Sequence, residues 1–205
     1  LFRSAMVPGF TVDGRPALDV LKEDVGEKLE PVDLAKLISQ AITLTRPRWK
    51  DQAQAAGATI RITTDLNPCP PVSGEESALR EALTNLIFNA VDAMPSGGTV
   101  SIGTRREGAG AVLEISDTGT GMTEEVRRRC LEPFFSTKGE RGTGLGLSMV
   151  FGIVQRHGGT LDIQSELGKG TTFIITLPLH GAGEQTTHDI TPEAVRKSLR
   201  VRSEE

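Results

Sequence analysis

The sequence predicts an α/β domain in which helices pack on a sheet, and two observations carry that prediction. Stretches with apolar residues at helical spacing, 34–44, 83–94 and 147–154, interleave with alternating or β-branched stretches at 58–64, 99–104, 111–116, 160–165 and 171–177. Glycines also cluster at two places, just after the strand that ends in Asp117 and just before the helix that follows Gly146. Both clusters free the backbone where a cleft would form.

Size and charge narrow the function classes. The 205 residues suffice for one domain with a real core and an appendage. Lys and Arg number 23 against 27 Asp and Glu, a net charge of −4 with the signs interspersed, so no basic stripe suggests a nucleic-acid or membrane surface. Phosphate binding, where it occurs, has to be local. Cys69 and Cys130 belong to no Cys-x-x-Cys or Cys/His cluster, which argues for free thiols rather than structural zinc or a disulfide scaffold. No apolar run approaches the roughly 20 residues that span a bilayer, and the N-terminus has no signal-peptide pattern. A cytoplasmic segment without membrane contact of its own is expected. Because the chain starts at Leu1 rather than at a Met, it reads as part of a longer protein whose membrane anchor, where it has one, lies upstream.

In chain order, residues 1–30 mix Pro and Gly with scattered hydrophobics and form an irregular extension, with a short helix only around Ala17–Leu21. Leu34, Leu37, Ile38, Ala41, Ile42 and Leu44 then keep helical spacing, with Asp33 as N-cap and a kink at Pro47. Gly57 ends that stretch, a strand follows over Ala58–Thr64, and Asn67–Pro71 is a Pro-rich loop. Ser73 and Glu76 fit a capping box for a long helix that stops at Pro95-Ser96-Gly97-Gly98. Leu83, Leu86, Ile87, Ala90 and Met94 form its apolar face, while Glu81, Asn85, Asn89 and Asp92 recur at i, i+4, i+8 and i+11 on another. Two asparagines inside a helix cost stability because their amides compete for backbone hydrogen bonds. That stripe is either a solvated face or a set of hard-oxygen ligands for magnesium.

Strands Thr99–Thr104 and Ala111–Ser116, joined by an exposed loop over 105–110, deliver Asp117 to a strand end. Asp117-Thr118-Gly119-Thr120-Gly121 reads by itself as an Asp-Gly turn or as a ligand site. Thr123 caps a short helix, 124–130, with an acidic start and an arginine-rich end that suit the helix dipole. The segment 132–141 reads as an ordinary surface loop or as a lid anchored by Phe134 and Phe135, with Lys138 and Arg141 available to phosphates. Gly142-Thr143-Gly144-Leu145-Gly146 crowds a helix N-terminus, where unpaired N–H groups and the dipole favour an anion, and Leu147, Val150, Phe151 and Val154 form the helix's apolar face. Neither a Walker A loop, nor a Rossmann fingerprint, nor a protein-kinase glycine loop fits these glycines. His157, at the helix end, is expected to interact with the helix dipole. Two closing strands follow, and 180–205 is a polar tail or linker with a short basic helix between Thr191 and Val201.

Taken together, Glu81/Asn85/Asn89/Asp92, Asp117-x-Gly-x-Gly121, Phe134-Phe135-x-Thr-Lys138 and Gly142-x-Gly-x-Gly146 resemble, in this order, the N, G1, F and G2 boxes of two-component sensor histidine kinases. The resemblance covers about residues 31–179 and includes a closing Gly170-Thr171-Thr172-Phe173. It implies a Bergerat-type ATP-binding fold, a two-layer α/β sandwich with a mixed sheet packed on three helices, and ATP with Mg2+ as cofactors. Asn89 would contact magnesium, with Asn85 beside it and Asp92 near by; Asp117 would read adenine, with Gly119 and Gly121 letting the backbone lie close to the base. Gly142, Thr143, Gly144, Leu145 and Gly146 would cradle the triphosphate, Thr137 and Lys138 would reach it from the lid, and Thr171 would lie near the adenine. Glu81 and Lys138 are the candidates for a direct catalytic part.

The γ-phosphoryl would pass to a histidine on a separate dimerisation domain and then to a response-regulator receiver domain. His157, His180 and His188 all lie downstream of the asparagine helix, so the acceptor histidine is expected outside this chain. The alternatives are a conformational ATPase of the gyrase or chaperone type, with Glu81 as the base for water, and an ATP-sensing module without transfer.

Overall fold

A computed structural model describes residues 29–139 and 142–181, and the backbone of a two-residue ladder pairing Thr11–Val12 with Arg15–Pro16. The helices expected around Ala17–Leu21 and between Thr191 and Val201, and the side chain of Arg141, lie outside the described residues.

The architecture is the expected one. The sheet has five strands: β2 (Ile60–Leu66), β4 (Gly98–Glu107), β5 (Gly110–Asp117), β6 (Thr160–Glu166) and β7 (Gly170–Pro178). Their spatial order is β2-β4-β5-β7-β6, with β2 parallel to β4 and every other pair antiparallel. The parallel pair needs a long crossover, and a helix supplies it, α2 (Glu76–Asp92). A second, two-stranded sheet pairs β1 (Glu30–Val32) with β3 (Val72–Gly74), and Leu179 bridges to Val72, closing the fold near its C-terminal end.

α1 (Leu34–Arg46), α2 and α4 (Gly146–Arg156) form the helical layer, with α2 in the middle. Leu37, Ile38, Leu83, Leu86, Ile87, Val150 and Ile153 pack there on Val100, Ile102, Ile115 and Leu177 of the sheet; each of these is at most 2% exposed. Fully burying side chains of this size contributes about 1.5–3 kcal/mol apiece, which is what holds the two layers together. Among the described residues, no helix is long and apolar enough to cross a membrane.

Local chemistry explains the boundaries. Asp33 caps α1 as its sequence predicts, its Oδ1 accepting from Ala35 N at 2.9 Å and Lys36 N at 3.1 Å. Pro47 does not end the helix but widens it into a π-helical turn, Pro47–Gln52, which Trp49 ties back by donating from Nε1 to Ile42 O at 3.2 Å. The chain leaves through Gly57 at φ +80°. Thr123 caps α3 (Glu124–Arg129) as expected, accepting from Val126 N at 3.3 Å. The hairpin between β4 and β5 is tighter than expected: pairing runs out to Glu107 and Gly110, and Arg105 sits between Glu107 and Glu114.

Three expectations are corrected and one is extended. Ser73 does not cap α2: it lies in β3, opposite Pro31, and the helix starts from Glu75 without a side-chain cap. Sheet pairing of Val72–Gly74 outweighs the capping box. His157 meets the end of α4 as expected, its Nδ1 bonding the last-turn carbonyl Ile153 O at 2.7 Å, but it is also buried, 3% exposed, and accepts from Glu75 N at its Nε2 at 2.9 Å. An N–H donor on Nε2 requires that nitrogen to be unprotonated, so Nδ1–H is the donor to Ile153 and the ring ties α2's start to α4's end. On α4 the buried apolar positions are Val150, Ile153 and Val154, while Phe151 is exposed. The two phenylalanines do not act together either: Phe135 lies under the Arg129 guanidinium at 4.4 Å, whereas Phe134 is 77% exposed at φ +66°.

Candidate functional site

A cleft of about 450 Å³ opens between α2, the turn after β5, α3, the loop 132–139 and the glycine loop before α4. Most of the residues singled out in the sequence meet there. Asn85, Asn89, Asp92, Asp117, Gly121, Thr137, Lys138, Gly142, Thr143, Gly144, Gly146 and Thr171 all line it. Gly119 and Leu145 do not, although each adjoins residues that do, and Glu81 is exposed on α2 outside the lining.

One end is built by the sheet. Asp117 ends the central strand with Val100 as its register partner on one side and Thr171 on the other, and is 5% exposed. Its Oδ1 accepts from Gly119 N at 2.8 Å. Burial pushes its carboxyl above the ordinary range, with the N–H groups of Gly119 and Thr171 pulling the other way. The turn it opens is fastened on both sides: Thr120 N donates to Ala93 O at 2.9 Å, Gly168 N to Thr120 O at 2.7 Å, and Met122 N to Ser165 Oγ at 2.9 Å. The glycines answer to these neighbours. A Cβ on Gly119 would overlap Ala93, and one on Gly121, at φ +63°, would overlap the Glu166 carbonyl.

The other end is built by charge. Lys138 Nζ donates to Asn89 Oδ1 at 3.0 Å and to Asp92 Oδ2 at 2.7 Å, and Arg48 Nη2 reaches Asp92 Oδ1 at 2.6 Å. Burial pushes the Asp92 carboxyl up, but the hydrogen bonds and charges of Lys138 and Arg48 outweigh it and hold the group below its usual range. The glycine loop packs closely on the 132–139 loop: Phe134 N donates to Gly144 O at 3.0 Å, and Cβ atoms on Gly144 or Gly142 would overlap the Phe134 backbone or the Ser136 side chain. Gly146 faces the amides of Asn85 and Asn89.

Arg48, Phe88, Met122 and Cys130 also line the cleft without any motif that marks them, and Phe173 lines it from the closing Gly170–Phe173 stretch. Arg48 follows Pro47 in a stretch that reads only as a helix kink, and its link to Asp92 spans 44 positions, beyond any local pattern. Cys130 is buried, which pushes its thiol up in pKa, and it donates to Arg127 O.

A mixed five-stranded sheet under three helices, with a deep carboxylate at one end of a cleft and a glycine loop at the other, defines a nucleotide-binding α/β sandwich. Residues 74–181, more than half of the chain, match the family described as histidine kinase-, DNA gyrase B-, and HSP90-like ATPase, and the chain belongs to that family. Within it the similarity runs to histidine kinases. The chain is 44% identical over 108 residues to sporulation kinase C of Bacillus subtilis, covering 53% of this chain and 25% of that protein. It is 34% identical over 152 residues to the sensor histidine kinase ZraS of Escherichia coli, covering 74% of this chain and 31% of that protein. The chain thus spans about a quarter to a third of the length of these relatives. Among solved structures, a mycobacterial sensor histidine kinase, MprB, superposes with a TM-score of 0.63 at 31% identity, over 73% of this chain and 97% of that one. Full-length ShkA, solved in complex with AMPPNP, gives 0.63 at 32% identity over 74% of this chain and 31% of that one.

Proposed function

We propose that the chain is the catalytic ATP-binding part of a two-component sensor histidine kinase, holding Mg-ATP and donating its γ-phosphoryl to a histidine on a dimerisation domain outside residues 1–205. The observation that carries this reading is the meeting, in one cleft, of a buried base-reading carboxylate, two helix amides and a glycine-lined helix start. Ionised Asp117 accepts from the exocyclic amine of adenine; guanine presents a carbonyl at that place and leaves the carboxylate repelled and unpaired. Gly144 and Gly146 turn backbone amides at the start of α4 toward the phosphates, and Asn85 flanks them.

Asn89 Oδ1 is a hard oxygen that already meets one cation, the Lys138 ammonium, so it suits Mg2+. When bound, magnesium neutralises charge on the phosphates as the phosphoryl leaves. Lys138 adds a cation from the lid, and no protein nucleophile is needed here, because positioning and charge neutralisation do the work. Phe134 and Met149, 77% and 42% exposed, stand next to the glycine loop and to Asn85 and give the acceptor domain an apolar rim to meet. Glu81's position outside the cleft lining counts against the water-splitting ATPase reading. The full-length protein then acts at the cytoplasmic side, passing phosphate on to a receiver domain.

The test is to incubate the chain with γ-labelled Mg-ATP, alone and with a separately supplied dimerisation domain, following label and free phosphate. Label on the added histidine is expected. Rapid phosphate release by the chain alone would instead favour the ATPase, and tight binding with neither outcome an ATP sensor.

A further inference from the structure

Asp92 sets a puzzle at the phosphate end, because a carboxylate there repels the ligand that the cleft is built to hold. Its two oxygens are divided between two cations of different origin. Lys138 comes from the lid loop and also bonds Asn89 Oδ1; Arg48 comes from the π-helical turn after α1 and stacks over the Phe88 ring at 4.9 Å, on the same helix as Asp92. A guanidinium held by a ring and a carboxylate is a fixed charge, whereas an ammonium on a lid is an exchangeable one.

The Asn89 oxygen makes the exchange necessary. A magnesium ion at Asn89 Oδ1 would repel an ammonium bonded to the same oxygen, so Mg-ATP and the present Lys138 contacts compete. Once Lys138 leaves, Asp92 keeps a counter-ion only through Arg48.

We propose that Arg48 is a positioning residue for the phosphate end of the cleft: by holding Asp92 oriented and half-neutralised, it lets Lys138 leave Asp92 for the nucleotide's terminal phosphate. This rests on the ATP-binding reading above. Without Arg48, Asp92 has Lys138 as its one cation, grips it harder, and faces the incoming phosphates unbalanced. The role is indirect, since Arg48 acts through Asp92 and not on the phosphates themselves.

A double-mutant cycle tests this by titration calorimetry of the full chain with Mg-ATP and Mg-ADP. Arg48→Met is expected to weaken Mg-ATP binding roughly tenfold, within the range of coupling between contacting residues. Arg48→Lys should recover most of it. With Asp92→Asn already present, the same Arg48→Met change should cost less than about threefold, because there is no carboxylate left to balance. An equal loss in both backgrounds, greater for ATP than for ADP, would make Arg48 a direct phosphate contact and overturn the proposal. An equal loss for both nucleotides with a lowered melting temperature, unrescued by lysine, would reduce Arg48 to packing on Phe88 and overturn it too. Failure of the unmutated chain to bind either nucleotide would instead remove the reading of the site on which it rests.

Discussion

At the Asp117 end of the cleft, the carboxylate is 5% exposed and its turn is bonded to α2 on one side and to the β6–β7 hairpin on the other. At the Lys138 end, the side chains of Arg48, Lys138 and Asp92 are 42%, 40% and 26% exposed and bond chiefly one another. The first arrangement is fixed by backbone and tolerates no change of shape. The second is a set of partly exposed charges in which, on the proposal above, Lys138 is the exchangeable member. On the proposed reading, base recognition belongs to the fold itself and phosphate handling to side chains laid over it, so mutations at the two ends should differ in what they damage as well as in how much.

The largest effect is expected where the fixed end is made. Gly170 sits at φ +99°, and a Cβ there would overlap the Asp117 carbonyl, so Gly170→Ala forces β7 away from the central strand. Overpacking against backbone together with the left-handed conformation should cost about 3 kcal/mol in urea unfolding and abolish nucleotide binding with it. Gly152→Ala is the control: it lies within α4 with nothing within 4 Å of its Cβ, and should be neutral or stabilise by up to about 1 kcal/mol. Equal behaviour of the two variants would mean that the turn is not the rigid element described.

Next comes Asp117→Asn, which leaves the turn but reverses the hydrogen-bond character toward the base. Loss of a charged hydrogen bond corresponds to roughly 10- to 100-fold weaker ATP binding, with GTP hardly changed, so that the preference for adenine narrows. The unmutated chain should show the matching pH dependence. Because burial raises the folded Asp117 pKa above 3.8, its ionisation costs stability, and that stability returns as pH falls through the raised value. Protonation at the same time removes the acceptor. Acidification in that window should therefore weaken ATP binding while easing the cost to the fold, and Asp117→Asn should remove this component from both profiles. Binding and stability falling together would point to another group.

Smaller again is Asn89→Ala, expected to weaken nucleotide binding about tenfold with magnesium and only slightly in EDTA, by loss of one hard-oxygen donor. An equal loss in both conditions would assign Asn89 to phosphate or to the lid instead of the metal.

How far the sequence reveals these two ends depends on how local their physics is. Asp117, its glycines and the asparagine stripe on α2 each obey a short-range rule, strand end, turn or helix period, and the five strands and three helices do as well. Arg48 and Phe88 reach the cleft only through packing of distant elements, which no window of sequence contains. Ser73 and His157 show the other limit: Ser73 satisfies a plausible local rule, the capping box, and is overruled by strand pairing with Pro31, while His157 keeps its helix-end bond to Ile153 O and gains the contact from Glu75 N, which no local rule contains. The glycines were legible as sites of close approach, but what approaches Gly119 and Gly121 is Ala93 and Glu166.

Lys138→Met should have the smallest effect of the series and is the sharpest probe of the exchangeable end. Removing Lys138 deletes the proposed phosphate contact, but it also deletes the pairs with Asp92 and Asn89 that nucleotide would have to break, so only the difference between two partly exposed ion pairs is lost. A loss of roughly three- to fivefold for Mg-ATP, and less for Mg-ADP, is expected in low salt. It should shrink further between 50 and 300 mM salt, where screening shortens to about 6–14 Å. The Asp117→Asn loss, set by a short contact with a buried carboxylate, should hardly respond to salt over the same range. If Lys138→Met instead weakens both nucleotides equally and without salt dependence, Lys138 works as a structural strut between lid and α2, and the division of the cleft into a fixed and an exchangeable end fails at that residue.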